Sequence, residues 1–418
     1  MSVPSALRRR YDFDEKAKAI MFRLLVPRER GACPLPHPVA LIYSDAYQGY
    51  RFSPDHPFNP VRLRWTFEMI EGLGLLAPGE LRAPEPAADE ALLRVHSPSY
   101  IAEVQRLSRG GAARESSLLY GLGTEDDPGF PGMHEAAALA VGGTLAGARA
   151  IASGDLLHAF NIGGGLHHAF AAQAAGFCIY NDIALGILAL RDAGLRVAYI
   201  DIDVHHGDGV QELFYRDPQV LTISFHESGR YLFPGTGAVE ELGAGPGLGA
   251  CLNVPLEPFT DDASWLELFE AVVPQALASF RPDALVTLHG CDGHVLDPLA
   301  DMRLTTRFYW QTARRLHELA HEFAWGRWLA LGGGGYELLR VVPRAWALVW
   351  AEMRQTPADE GTEVPPAFNA LHQPSKGPPL PRLLVDPPGL VPPLDRQAEI
   401  SGRNRATLAR LRQVSPLL

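Results

Sequence analysis

A strand-like apolar run ending in alternating carboxylates and an imidazole carries the clearest chemistry in this chain. The segment Val197-Ala-Tyr-Ile-Asp-Ile-Asp-Val-His-His-Gly-Asp-Gly209 spaces Asp201, Asp203 and His205 two residues apart. In extended backbone, residues of one parity project to one face. These three therefore share a face, and Ile200, Ile202 and Val204 take the other. Carboxylates and an imidazole gathered at a strand end can hold one divalent metal ion. Core packing supplies no reason for such a pattern.

Four further segments bear on that chemistry. In Asn161-Ile-Gly-Gly-Gly-Leu-His-His-Ala169, three glycines precede the adjacent pair His167 and His168. Imidazole titrates near neutrality, so a pair at a glycine-rich strand exit suits proton transfer. Leu288-His-Gly-Cys-Asp-Gly-His294 offers Asp292 as a third metal ligand beside Asp203 and His205. His289 and His294 are alternatives, and Asp292 beside Gly293 also suits a plain turn. Three protein ligands with one open position is the pattern of a catalytic metal. Trp328-Leu-Ala-Leu-Gly-Gly-Gly-Gly-Tyr336 lacks both the dinucleotide fingerprint and a Walker lysine. Its four glycines let the backbone turn sharply and present the Tyr336 hydroxyl. Gly123-Thr-Glu-Asp-Asp-Pro128 reads, taken alone, as an acidic surface loop.

The elements that must position these residues alternate along the chain. Short Val/Ile/Leu-rich runs predict strands at Ala40–Tyr43, Ala159–Ile162, Val197–Ile202, Val220–Phe225, Leu252–Val254, Ala284–Leu288 and Trp328–Leu331. Several are apolar on both faces, as in a parallel sheet covered on both sides. Helical spacing predicts helices over Glu135–Ala152, Asp262–Phe280 (with a kink at Pro274) and Phe308–Trp325. Strands alternating with helices indicate an α/β three-layer fold, whose ligands sit beyond the carboxyl ends of strands. The chemical motifs follow predicted strands, which is where that architecture needs them. Eleven of the 35 prolines fall between Pro357 and Pro393. The expected organisation is an N-terminal extension at 1–36, a catalytic domain at 37–355, and a proline-rich tail at 356–418. The tail is expected to be irregular, packed on or beside the domain, with one short helix near Arg403–Arg412.

Composition excludes several classes of function. With 418 residues and 47% hydrophobic content, the chain can build a large core. Its formal charge of −11 gives no electrostatic footprint for nucleic acid or an anionic membrane. Arg8-Arg9-Arg10 is short and followed by Asp12, Asp14 and Glu15. No stretch is expected to span a bilayer, and no signal pattern opens the chain. The four cysteines, Cys33, Cys178, Cys251 and Cys291, form no CxxC pair, which fits a reducing cytoplasm.

Taken together, the motifs resemble those of the histone deacetylase superfamily. The resemblance runs from His37 to Met353 through His56-Pro-Phe-Asn-Pro60, Val95-His-Ser-Pro-Ser-Tyr100, the His167-His168 pair and Gly176-Phe-Cys-Ile-Tyr-Asn-Asp182. It continues through Asp201–Gly209, Phe233-Pro-Gly-Thr-Gly237, Asp292 with Asp297-Pro-Leu299, and Gly332–Tyr336. Gly132-Met-His-Glu135 and the stretch Gly335–Trp346 are most similar to the acetoin-utilisation branch. The resemblance implies an arginase/deacetylase-like three-layer αβα fold with a central parallel sheet of eight strands. It implies zinc on Asp203, His205 and Asp292, with Fe2+ as the other candidate. A monovalent cation, K+, would use Asp201, Ser224 and the backbone carbonyls of Asp203, His205 and Phe225.

The same resemblance assigns roles. His168 would be the general base and His167 its largely electrostatic partner, with Asp201 behind His167 and Asp208 behind His168. Tyr336 would donate to the oxyanion. Asp126 would hold the substrate backbone at the rim, Gly176 would meet the substrate through its main chain, and Phe177 and Phe233 would wall a tunnel. The implied reaction removes acetyl from lysine on a metabolic enzyme such as acetyl-CoA synthetase. An acetylated small amine such as an acetylpolyamine is the alternative substrate. A binuclear-manganese ureohydrolase would need paired aspartate motifs that the segment after Asp292 lacks. A non-catalytic acetyl-lysine binding protein would be expected to have lost a ligand, the histidine pair or the tyrosine, and all are present.

Overall fold

The computed structural model describes residues 37–356, 358–376 and 378–418. The expectations for residues 1–36, including the basic cluster and Cys33, lie outside the described residues.

Eight strands form one parallel sheet: β1 (Val39–Ile42), β2 (Leu81–Arg82), β3 (His158–Asn161), β4 (Val197–Asp201), β5 (Val220–Glu227), β6 (Cys251–Leu256), β7 (Ala284–Leu288) and β8 (Trp328–Leu331). Their order is β2-β1-β3-β8-β7-β4-β5-β6. The seven apolar runs account for seven strands. The eighth, β2, is two exposed residues pairing only with β1, too short and polar to leave a hydrophobic signature.

Alternation along each strand divides the core into two halves. Ala198 and Ile200 of β4, Phe160 of β3, Leu285 of β7 and Trp328 and Ala330 of β8 face the helices Asp262–Phe280, Thr306–Phe323 and Val342–Met353. Val197, Tyr199, Ala159, Val286, Leu329 and Leu331 face Met133–Ser153, Asp182–Asp192 and Asp208–Phe214. Because both faces are covered, the central strands carry apolar residues on both faces, and the sheet is the middle of three layers.

Local signals set the helix limits. Asn181 accepts from Ala184 N at 2.9 Å and starts the helix Asp182–Asp192. Asp261 does the same for Asp262–Phe280 through Ser264 N, also at 2.9 Å. Pro274 sits inside that helix without ending it. The helix Met133–Ser153 corrects one sequence expectation. By length and hydropathy it could cross a bilayer, yet 78% of its apolar window is buried within the protein. Its alanine and glycine positions let it pack closely on the sheet and neighbouring helices.

The tail is more regular than its prolines suggest. The helix Gln397–Val414 is 18 residues long, and a second helix spans Pro366–His372. The proline-rich run stops at Pro393, and Ile400, Asn404, Leu408 and Leu411 then recur at helical spacing on the buried face. Asn404 accepts from Glu257 N at 2.9 Å and donates to the hydroxyls of Thr260 and Ser264. Residues 37–418 form one compact unit.

Asp386 ties the proline-rich segment to the centre of the molecule. Its carboxylate accepts from Thr306 N at 2.9 Å, pairs with Arg344 at 2.8 Å, and meets His294 Nε2 at 2.9 Å. Burial opposes its ionisation, but His294 and Arg344 overcome that and hold the carboxyl well below the usual range. A depressed carboxylate stabilises the fold above its unfolded pKa of about 4 and loses that contribution as pH falls below it. Asp386→Asn should therefore cost about 3–5 kcal/mol at pH 7, because Arg344 keeps its charge without a partner. Thermal melts should show the gap to the unmodified protein narrowing as the pH drops below about 4.

Candidate active site at the carboxyl ends of the sheet

The chemical residues gather where β3, β8, β7 and β4 end side by side. The chain leaves β3 and next enters the sheet at β4, with β8 and β7 between them. Such a break in strand sequence opens a crevice beyond the carboxyl ends. Four strand-exit loops fill it: 162–168, 202–207, 289–294 and 332–336.

The alternating motif acts through turns as well as strand. β4 ends at Asp201. Asp201 Oδ1 then accepts from Asp203 N at 3.0 Å, and Asp203 Oδ1 accepts from His205 N at 3.0 Å. Each carboxylate fixes the backbone two residues on, so the shared face persists past the strand. His205 Nδ1 lies 3.1 Å from Asp203 Oδ1 and 3.1 Å from Asp292 Oδ2. The donor atoms of Asp203, His205 and Asp292 all lie within 4.8 Å of one another, so this group could hold a metal ion. The alternatives turn elsewhere: His289 Nε2 meets Thr287 at 2.8 Å, and His294 meets Asp386.

The electrostatics fit a cation. Burial works against ionising Asp203, but His167 and His205 overcome it and drive its pKa far down. Asp292, buried beside that anion, is pushed up. Burial would lower His205, yet the two carboxylates raise it to about 10. A proton on His205 thus stands in for the positive charge that two facing carboxylates demand, and a divalent ion would supply the same charge.

Glycine makes room for this cluster. A Cβ on Gly334 would fall 1.9 Å from Asp292 Oδ2, and one on Gly290 would fall 2.0 Å from Asp203 Oδ2. Gly334 N also donates to Asp203 Oδ2 at 2.7 Å. The glycine run thus lies against the carboxylates before it delivers Tyr336.

Both histidines of the pair have an anionic partner. His167 Nδ1 is 2.8 Å from Asp201 Oδ2, and His168 Nδ1 is 2.7 Å from Asp208 Oδ1. Tyr199 donates its hydroxyl to the same Asp201 oxygen at 2.7 Å. Asp182 holds the loop that carries the pair, accepting from Gly165 N at 3.0 Å and Leu166 N at 2.8 Å. Burial alone would lower both imidazoles. For His167 the charges of Asp201 and Asp203 win and raise it to about 9. For His168 burial wins, reinforced by His167, and lowers it to about 4 despite Asp208. Adjacent residues of one type are thus split into a proton holder and a proton acceptor.

Tyr336 and the rim complete the crevice. Asp297 accepts from Tyr336 N at 2.6 Å and Glu337 N at 3.1 Å, while Arg62 donates to the Gly335 carbonyl at 2.9 Å. The Phe177 ring stands edge-on to Tyr336 at 5.8 Å, and Phe233 is 5.0 Å from His168. Gly176 and Phe177 both have positive φ, 52° and 70°. A Cβ at Gly176 would strike His168 at 2.3 Å. Tyr50 donates to the Phe177 carbonyl at 2.9 Å and helps hold this turn. Asp126 is exposed, and its carbonyl lies 3.1 Å from His56 Nε2. The His56 ring packs on Phe177 at 4.7 Å. Its neighbour Asp127 is buried, so the acidic loop is only partly a surface feature. Asp201 and Ser224 lie opposite each other in the β4–β5 register. The Phe225 ring is buried against Trp265, which leaves its backbone for any cation contact.

Tyr199 shares the parity of Asp201, so alternation could have revealed it. Asp182 and Asp297 lie in quoted motifs, but no spacing rule marks them as backbone anchors. Arg62, far away in sequence, leaves no signal. Gly334→Ala should fold yet lose at least about tenfold in metal affinity, because its methyl displaces a ligand carboxylate. Metal titration of the purified variant checks this, and wild-type affinity would show that the close approach is not needed.

The comparisons with known proteins agree with this geometry. The histone deacetylase domain model matches residues 56–353. The chain is 45% identical over 370 residues to the acetoin utilization protein AcuC of Bacillus subtilis (strain 168), covering 88% of this chain and 95% of that protein. It is 41% identical over 323 residues to the AcuC protein of Staphylococcus aureus (strain MSSA476), covering 77% and 83%. A crystal structure of an HDAC homolog complexed with SAHA superposes with a TM-score of 0.76 at 29% identity, covering 90% of this chain and 99% of that one. With its eight-stranded parallel sheet and its candidate metal centre, the chain belongs to the histone deacetylase family of metal-dependent hydrolases.

Proposed function

We propose that this chain hydrolyses the acetyl amide of acetyl-lysine in proteins, releasing a free amine and acetate. The observation that carries this reading is the arrangement around Asp203, His205 and Asp292: two carboxylate-backed histidines on one side and Tyr336 delivered by a glycine run. A zinc ion held by those three residues, or Fe2+ in its place, would polarise the amide carbonyl and lower the pKa of a bound water to about 7. His168, kept unprotonated by burial, takes the proton of the attacking water. His167, held cationic by Asp201 and Asp203, stabilises the negative charge that develops. Tyr336, whose hydroxyl burial keeps protonated, donates to the oxyanion. The amide nitrogen leaves after protonation from the histidine pair. Asp201 and Asp208 orient the two imidazoles. Asp201, Ser224 and the backbone carbonyls of Asp203, His205 and Phe225 would hold K+, which would steady the loop.

Phe177 and Phe233 provide apolar walls for an extended lysine stem, Gly176 offers backbone contact, and exposed Asp126 meets the substrate main chain. The relatives named for acetoin utilization support a metabolic role, and a metabolic enzyme such as acetyl-CoA synthetase is the proposed target, with the cytoplasm as the proposed compartment. Exposed Glu125 and Asp126 also favour a second reading, a cationic acetylpolyamine. Turnover on an acetyl-lysine peptide should exceed turnover on acetylspermidine, and the reverse ranking would select the polyamine.

Tyr336→Phe in the zinc-loaded protein should lower kcat by about 10²–10³ with little change in KM. An unchanged kcat would remove Tyr336 from the oxyanion role. The pH profile tests the base. Protonated His168 cannot accept a proton, so activity rises with pH as His168 loses its own. The Asp208 anion raises the His168 pKa. Asp208→Asn should thus move the limb that reports His168 to lower pH and cut kcat by roughly 10²-fold. A shift to higher pH would contradict the assignment.

A further inference from the structure

A second cluster of metal-binding groups lies at the other edge of the sheet. His37 precedes β1, His158 opens β3, and His317 and His321 lie one turn apart on the helix Thr306–Phe323. Each offers one ring nitrogen, and these four nitrogens all lie within 4.8 Å of one another. His158 starts the strand whose exit loop carries His167 and His168. The length of β3, about 10 Å at the usual rise, therefore separates this cluster from the deacetylase crevice. Nothing in the deacetylation chemistry uses it.

Hydrogen bonding alone accounts poorly for the arrangement. His317 Nε2 lies 3.1 Å from His158 Nε2 and 3.0 Å from His321 Nε2. One imidazole nitrogen has either one proton or one in-plane lone pair, so it can satisfy only one such neighbour well. The outer bonds are those that ligating imidazoles keep. His37 Nε2 meets the Met353 carbonyl at 3.3 Å, and His317 bonds the Glu352 carbonyl. Both carbonyls end the helix Val342–Met353, where backbone acceptors lack partners within the helix. Helix capping explains those two outer bonds. It does not explain why His317 Nε2 stands within 3.1 Å of two other ring nitrogens at once.

The surroundings suit a soft-to-borderline cation. Trp328 stacks on His317 with ring centroids 5.6 Å apart, and the His37 and His158 rings meet edge-on at 4.2 Å. Burial holds His37 below the usual imidazole pKa, burial reinforced by its histidine neighbours does the same for His158, and burial with its histidine neighbours takes His317 to about 3. The lone pairs of these three are therefore available at neutral pH.

We propose that His37, His158, His317 and His321 form a second, structural metal site that takes a divalent transition ion of the zinc class through four imidazole nitrogens. A tetrahedral zinc site has Zn–N bonds of about 2.0–2.1 Å and no open position, which matches four converging ligands. The two close nitrogen pairs already have nearly the required spacing, and small ring rotations bring in the others. Such an ion would pin the entry to β1 onto β3 and the helix Thr306–Phe323, stabilising the fold rather than supplying chemistry.

The test separates the two centres. The full chain carrying Asp203→Asn and Asp292→Asn is dialysed against zinc, desalted, and examined by metal analysis and zinc X-ray absorption. The expected result is one zinc per chain with a four-nitrogen shell at about 2.0–2.1 Å. Adding His321→Ala should reduce the retained zinc more than tenfold. No retained zinc, a shell containing sulfur or carboxylate oxygen, or an unchanged content after His321→Ala would overturn the proposal. The unmodified chain gives an independent readout that needs no change at the catalytic ligands. It should retain two zinc ions, and His37→Ala should retain one while still releasing acetate. A single zinc in the unmodified chain would also overturn it.

Discussion

Two carboxylates facing each other in a dry interior are the constraint around which this structure is arranged. Asp203 and Asp292 are 1% and 0% exposed and share His205 between them. Uncompensated, such a pair would cost several kcal/mol per charge. The protein must deliver a cation to them, or a proton in its place. The same field sets the neighbouring imidazoles, because Asp201 and Asp203 keep His167 charged, and charged His167 in turn helps keep His168 free of its proton.

Backbone geometry follows from that constraint. The carboxylates can approach one another only because Gly290 and Gly334 bring main chain where any side chain would collide. Asp182 and Asp297, both buried, secure the loops on either side by accepting backbone N–H groups. Asp297 is pushed up to about 7 by burial and by Asp292. The parallel sheet supplies the platform, since a parallel arrangement places several strand exits at one edge. The tail adds a further support, because Asp386 holds His294, two residues from Asp292, and turns it away from the candidate metal centre.

Much of this was legible in the sequence because its signals are local. Period-two alternation located Asp201, Asp203 and His205, and apolar runs located seven strands. The Asp201–His167 and Asp208–His168 pairs followed from the family resemblance, and both appear in the geometry. What escaped notice depends on distant parts of the chain. Arg62 reaches Gly335 across 273 residues, and β2 exists only because β1 lies beside it. The tail helix is longer than expected because prolines dominate the composition of the segment, although none falls within the helix. The four-histidine cluster joins three distant segments, so no spacing rule could collect it.

The central claim is that Asp203, His205 and Asp292 hold one divalent ion on which amide hydrolysis depends. The most direct measurement is acetate release from an acetyl-lysine peptide by chelated protein, before and after stoichiometric zinc is restored. The account predicts negligible release without metal and recovery on addition of zinc, with Asp292→Asn failing to recover. Equal release by chelated and metal-replete protein would contradict it.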